Sequence, residues 1–545
     1  MRRVFHLAAA LLVPVCNAQA QPVPTARPEP PDLITLQVCE GILRLFSESP
    51  DAVWPGFDLS ARPFIVYRAN KWALLLGQRE EVPGFGAYPA TWPKLDSSAR
   101  FHVGAYENLS GQLVFGFPVG DKQAVALGLP DDLPVLPGAR DLPVEARLLG
   151  YFVHESFHQY QQEHFGQVES PAEERYPILD VENSALAALE MHVLLAALAD
   201  AERGDEEACA ETARQFVAVR AQRWKDVDEF VKTFEPALEL WEGTAKYVEV
   251  RSIALIGALR YTARVSPEKS LPGLLAGLTV PRLLRMDSEA RLTEGVIRPD
   301  DMPRNRVYPV AAAQCFLLDV LGVDWRAAAQ QAAADFSCSA LLRRRLALDE
   351  RALARCLTTA KERHGYDRLK AATVAQIEKY HAGFEEALAT FERQTGARIE
   401  VTLPTNGLAR SRTSYGRKWL MDSGRRSLCR NEVYVLKRPD IRLEIRESTV
   451  LELNDWDARK RTVTSFTRGS LEVTVDGKPV ALNDGLEKRF ERISLRADDI
   501  SVESSAPGTI RLLNGRLSVE LAPQSGHTAR TQSTESNAPA GSSQP

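Results

Sequence analysis

The sequence predicts an α+β fold: a mainly helical core, preceded by a small β region and followed by a C-terminal antiparallel β domain. Three observations carry this. Before residue 142, short apolar runs are broken densely by Pro and Gly. From Pro143 to about Thr395, Ala, Leu, Glu and Arg dominate at helical spacing. Beyond Gly396, strand-like segments return, separated by Gly, Asn and Asp turns. At 545 residues with 44% hydrophobic and 26% charged content, two or three domains are expected rather than one core.

The elements follow in order. Residues 1–20 read as a signal peptide: Arg2 and Arg3 precede the apolar run Val4–Val15, and Ala18-Gln19-Ala20 offers a small-x-small cleavage site. Cys16 raises a lipoprotein option, against which Val15 is a poor fit. A Pro-rich leader covers 21–31. The N-terminal β-containing region spans 32–142, with a helix at Leu33–Ser47 and strands at Pro63–Arg68, Trp72–Leu76, Phe101–Tyr106 and Gln112–Phe117. The last two strands are expected to pair as a hairpin through Asn108-Leu109-Ser110-Gly111.

Helical spacing marks Ala185–Ala201 and Phe384–Phe391 within the core at 143–395, and a connector helix is expected at Lys370–Arg393. No fixed-period repeat indicates a solenoid. The β domain at 396–521 has strands at Arg398–Thr402, Val433–Leu436, Ile441–Ile445, Leu471–Val475, Ile510–Leu513 and Leu517–Leu521. Residues 522–545 read as a disordered tail rich in Ser, Thr, Gln, Pro and Ala.

Charge excludes one broad class. The full chain carries −5, and cleavage after Ala20 leaves 65 Lys+Arg against 72 Asp+Glu, a net −7. No basic field for nucleic acid exists, and Arg343-Arg344-Arg345 reads as a solvated helix face. No stretch of about 18 apolar residues follows the leader, so no membrane span is expected. The signal-peptide reading of residues 1–20 implies an exported protein, periplasmic or secreted. The remaining cysteines (Cys39, Cys209, Cys315, Cys338, Cys356 and Cys429) include no C-x-x-C pair. Cys338 and Cys356 lie in neighbouring predicted helices and could be bridged, although spacing does not select among the possible pairings.

One segment carries strong chemistry. In VEARLLGYFVHESFHQYQQEH, His154-Glu155-Ser156-Phe157-His158 matches H-E-x-x-H. Positions four apart lie about 40° apart around a helix, so both imidazoles reach one metal ion. Glu155 sits on the adjoining face, placed to take a proton from a metal-held water as that water attacks a carbonyl. Pro143 suits the helix start, with Asp141 a possible cap, and the run Leu148, Leu149, Phe152, Val153 suits a buried helix.

The third ligand is open at this level. His164 has the ten-residue metzincin spacing, but Gln161 stands where a glycine turns the metzincin chain, and no Met-turn is visible; it reads as a surface histidine. Glu182, Glu190 and Glu242 are the candidates. Glu190 shares a helical face with Leu186, Val193, Leu194 and Ala197, so its buried carboxylate needs a metal, histidine or arginine partner. Glu242 and Glu249 fall about 20° apart on one helix, so one can ligate while the other supports a ligand histidine. Gly243 and Ala245 are small enough to let that helix pack against the HESFH helix.

The pairing of HESFH with Trp241-Glu242-Gly243-Thr244-Ala245-Lys246-Tyr247 resembles gluzincins, zinc metallopeptidases whose third ligand is a glutamate on a second helix. The chain also resembles a group of exported bacterial HExxH proteins. The resemblance covers mainly residues 143–330 and implies a zincin-like core, one Zn2+ ion on His154, His158 and Glu242, and a peptide or protein substrate. The interval from His158 to Glu242 is long for a gluzincin and implies a helical insertion, which Ala185–Ala201 and Glu206–Thr233 supply.

A peptidase also needs a donor to the developing oxyanion. Tyr308 in Arg306-Val307-Tyr308-Pro309 is the first candidate and Arg306 the second, while Tyr247 reads as a core residue. Gln112–Phe117 is the candidate edge strand for aligning an extended peptide, by analogy with zincins. Trp419, Arg425, Arg426 and Arg430 could bind an acidic or carbohydrate partner, without a motif to support it. The expectation is a zinc metallopeptidase. Its rivals are a metal-binding or scaffold protein without catalysis and a zincin-fold hydrolase of non-peptide amides or esters.

Overall fold

A computed structural model describes residues 31–522 apart from 50, 61, 79, 94, 96–97, 107–108, 110–112, 130–141, 167–171, 262, 267–268 and 332–335. The expected signal peptide, most of the leader, the tail beyond 522, Asp141 and most of the Asn108–Gly111 turn lie outside the described residues. The chain divides into two compact units: residues 1–388 with 419–424, and residues 389–418 with 425–545. The fold is α+β, as expected.

The first unit opens with the helix Leu33–Glu48, whose N-cap Asp32 accepts from the Thr35 amide. A six-stranded sheet follows, in the spatial order Gly86–Ala87, Arg100–Val103, Trp72–Leu76, Phe64–Arg68, Lys122–Gly128, Leu113–Val119. Phe64–Arg68 runs parallel to Lys122–Gly128, and the other neighbours are antiparallel. The expected hairpin partner is therefore corrected. Arg100–Val103 pairs with the Trp72–Leu75 stretch, and Leu113–Val119 pairs with Lys122–Gly128. Gly120, at φ +62, permits the tight turn between that last pair. Leu113–Val119 does lie at a sheet edge.

The helix Val144–His164 begins after Pro143 with no side-chain cap. Aromatic contacts fix it in place: Phe152 meets Phe64 of the sheet, while Phe157 meets Trp54 and Phe57. The helical region continues through Val181–Glu202, Glu206–Asp226, Glu229–Leu238 and Thr244–Ala258, then Val280–Glu289 and Val307–Val320. Cys338–Arg345, Glu350–His364 and Tyr366–Glu392 complete it.

Val181–Glu202 is long and apolar enough to cross a membrane by length and composition, so such a stretch does exist, contrary to the reading of the sequence. It is 72% buried within the fold, and it carries Glu190 in a buried ion network, which marks a core helix.

The second unit is an antiparallel-rich sheet of 12 strands, with one parallel pairing between Arg516–Glu520 and Arg398–Thr402. Its core follows period-two alternation: Ile399, Val401 and Leu403 share one buried cluster with Tyr434, Leu436 and Leu443. The buried Glu452 carboxylate is satisfied by the Tyr434 and Ser427 hydroxyls, both at 2.6 Å.

Candidate metal centre

The site is assembled from the Val144–His164 helix and a π-helical turn, Glu239–Gly243, that interrupts the path between Glu229–Leu238 and Thr244–Ala258. Pro236 lies inside the preceding helix and cannot donate a backbone hydrogen bond, which weakens regular α-register there. The wider turn presents Glu242 to the motif helix.

His154 Nε2 and His158 Nε2 each lie 3.3 Å from Glu242 Oε2. All three residues are buried, at 7%, 8% and 4% exposure. One ligand atom from each lies within 4.8 Å of the others, so the group could hold a metal ion.

The remaining polar atom of each residue is also engaged. His154 Nδ1 meets Glu249 Oε2 at 3.2 Å, and Lys246 Nζ donates to Glu249 Oε1 at 2.6 Å. His158 Nδ1 meets Gln161 Oε1 at 2.6 Å. The Gln161 amide nitrogen donates to the Trp241 carbonyl at 2.7 Å and the Thr244 hydroxyl at 2.8 Å. Its oxygen must then accept from His158 Nδ1–H, which orients the His158 ring with Nε2 toward Glu242. Gln161, which removes the metzincin turn, thus ties the motif helix to the π-turn. Arg304 completes the set by donating to Glu242 Oε1 at 2.6 Å. Trp241 stacks on His158, and Tyr308 stacks on His154 with ring planes 12° apart.

Burial opposes the charged forms here, and the neighbours override it. His158, His154 and Arg304 hold the Glu242 carboxylate well below the usual carboxylate range despite its desolvation. Lys246 and His154 likewise push Glu249 down to about 2. Burial works against His154 protonation, yet the carboxylates of Glu242 and Glu249 push its pKa up to about 10. Glu155 is partly exposed and adds to that field. Tyr308 is pushed well above its ordinary range by burial and by Glu242, so its hydroxyl keeps its proton; Arg304 Nε donates to it at 3.0 Å.

The other candidates are placed elsewhere. Glu190, fully buried, accepts from Arg220 at 2.8 Å and Arg223 at 2.7 Å, so its partner is arginine. Glu182 is exposed and bound to Tyr366 and Lys370. His164 is exposed, against the Tyr160 carbonyl. Arg306, the second oxyanion candidate, is fully buried with Glu235, the Tyr176 hydroxyl and the Met302 carbonyl, and does not face the histidines. The guanidinium beside the site is that of Arg304, two residues earlier. Tyr247 is a core residue whose hydroxyl donates to Asp319.

The packing expected of Gly243 is also corrected. A Cβ there would collide with Ala311 of the Val307–Val320 helix rather than with the motif helix. The small residue that admits close approach of Thr244–Ala258 to the motif helix is Gly150, which faces Glu249 and Ile253.

Comparison with family models, curated proteins and solved structures finds no match to this chain.

Proposed function

We propose that the chain is an exported zinc-dependent metallopeptidase of gluzincin type. The observation that carries this is the spacing of the donors. A tetrahedral ion with bonds of about 2.0–2.1 Å to nitrogen and oxygen requires ligand atoms roughly 3.3 Å apart. The Nε2 atoms of His154 and His158 each stand 3.3 Å from Glu242 Oε2. Two imidazoles and one carboxylate form the donor set of a catalytic rather than a structural zinc site. The N-terminal signal-like segment supports export.

A zinc ion held there would supply Lewis acidity and bring the pKa of a water to about 7. The chain's own residues do the rest. Glu155 takes the proton of the attacking water and returns it to the leaving nitrogen. The Tyr308 hydroxyl, kept protonated by its surroundings, and the Arg304 guanidinium donate hydrogen bonds to the carbonyl oxygen as it gains negative charge. Glu249 and Gln161 hold the two histidines in the orientation that leaves Nε2 free to bind.

The test uses purified mature chain, zinc analysis and a mixed peptide library. Wild type should retain about one zinc and hydrolyse peptides. Glu155→Gln should keep the zinc while turnover falls by roughly 10²–10⁴-fold. Zinc retained by wild type without any turnover would overturn the enzyme reading.

A further inference from the structure

We propose that Cys315 and Cys338 are a disulfide-forming pair that tethers one wall of the metal site. Their sulfur atoms lie 3.8 Å apart, and both residues are closed to solvent at 0% and 1% exposure. Cys315 sits on the Val307–Val320 helix, and Cys338 is the first residue of Cys338–Arg345. This is not the Cys338–Cys356 pairing considered from spacing: Cys338 faces Cys315, while Cys356 is only half buried on Glu350–His364.

A disulfide needs the sulfurs at about 2.05 Å, so closure asks for roughly 1.8 Å of approach. Rotation of the two short side chains would have to supply it, and Cys338 stands at a helix start, directly after the Ser337 cap, rather than in mid-helix. The bond would close a loop of 23 residues, enough to restrict the unfolded chain substantially. It would also pin the helix that carries Tyr308 and packs Ala311 against Gly243, next to Glu242.

The chemistry is thiol–disulfide exchange with a small-molecule or protein disulfide. One thiolate attacks the oxidant's S–S bond, forming a mixed disulfide and releasing one oxidant thiol. The second thiolate then displaces the other. The chain loses two protons and two electrons, and the oxidant leaves as two thiols. Exchange takes place while the chain folds, because the native fold encloses both sulfurs. Burial also raises the Cys315 thiol well above its ordinary pKa, so that reduced thiol is a poor nucleophile once enclosed.

The experiment refolds reduced, mature-length chain with a glutathione–glutathione disulfide couple. Free thiols are then blocked with iodoacetamide in denaturant without reductant, and the chain is digested with trypsin. Val307–Arg326 and Ala327–Arg343 are adjacent tryptic peptides carrying one cysteine each. The expected species is their sum less two hydrogens, which differs from the uncut peptide bearing the same disulfide by the water of cleavage, with the other cysteines alkylated. Alkylation of both Cys315 and Cys338, or linkage of Cys338 to Cys356, overturns the proposal. As a second reading, reduction should lower the wild-type melting temperature by several degrees and leave Cys315→Ala/Cys338→Ala unmoved. Equal shifts in both proteins would contradict the tether. Should the double variant not fold, the wild-type peptide map decides.

Discussion

Each donor at the centre has a second contact that fixes it: Glu249 behind His154, Gln161 behind His158 and Arg304 behind Glu242. Removing a ligand and removing its support should therefore differ in degree. Glu242→Ala should abolish metal retention as fully as His158→Ala, whereas Glu249→Gln should weaken it about 10–100-fold. Competition with a chromophoric chelator measures both. An unchanged affinity in Glu249→Gln would remove its supporting role. The histidines, Glu155, Glu242 and Glu249 were legible in the sequence because helical periodicity alone brings residues four or seven apart to one face. Preferring Glu242 to Glu182 and Glu190 rested on the resemblance to gluzincins and not on periodicity, since each lies on a helix whose packing partner the sequence does not name. Arg304 was missed for a similar reason. Arg304-Asn305-Arg306 offers two guanidiniums, and tertiary packing sends Arg306 into the core and Arg304 to Glu242.

At the scale of elements, the π-turn Glu239–Gly243 is held from both sides. Arg220 donates to Glu239 at 2.6 Å from the helix Glu206–Asp226, and Gly243 sits against Ala311. Gly243→Ala places a methyl group into that contact and should cost about 1–3 kcal/mol by overpacking, read as a lower denaturant midpoint. An unchanged midpoint would mean that the two helices part without penalty. The segment between His158 and Glu242 has a structural use: it carries Arg220 and Arg223, which with Arg306 neutralise Glu190, Glu235 and Glu239 in the buried interior. Helices were legible here because their apolar spacing runs for many residues. The N-terminal pairing was not, because Lys122–Gly128 opens with charged and polar residues that hide its role as the partner of two strands.

For the whole molecule, the candidate metal ligands and the buried ion network belong to one of the two units. Metal binding should stabilise that unit alone, so chelation should lower one melting transition and leave that of the β unit in place. A parallel fall of both would contradict this partition. The same unit should show the stronger acid dependence. Burial raises the Glu235 carboxyl's pKa, but Arg223 and Arg306 override it and hold the group well below its ordinary value of 4.5. Its contribution is thus complete above the unfolded carboxylate pKa and lost as pH falls through the lower, folded value. Glu235→Gln leaves buried guanidiniums uncompensated and should cost on the order of 3–5 kcal/mol at neutral pH, with a flatter acid profile. Urea midpoints measured from pH 7 downward test this. An acid profile as steep as that of wild type would contradict it.

The most direct measurement is anomalous diffraction at the zinc edge from crystals of the protein. One peak is expected, bonded to His154 Nε2, His158 Nε2 and Glu242 Oε2, with Glu249 and Gln161 on the far nitrogens of the two histidines. A peak elsewhere, or none after zinc reconstitution, would contradict it.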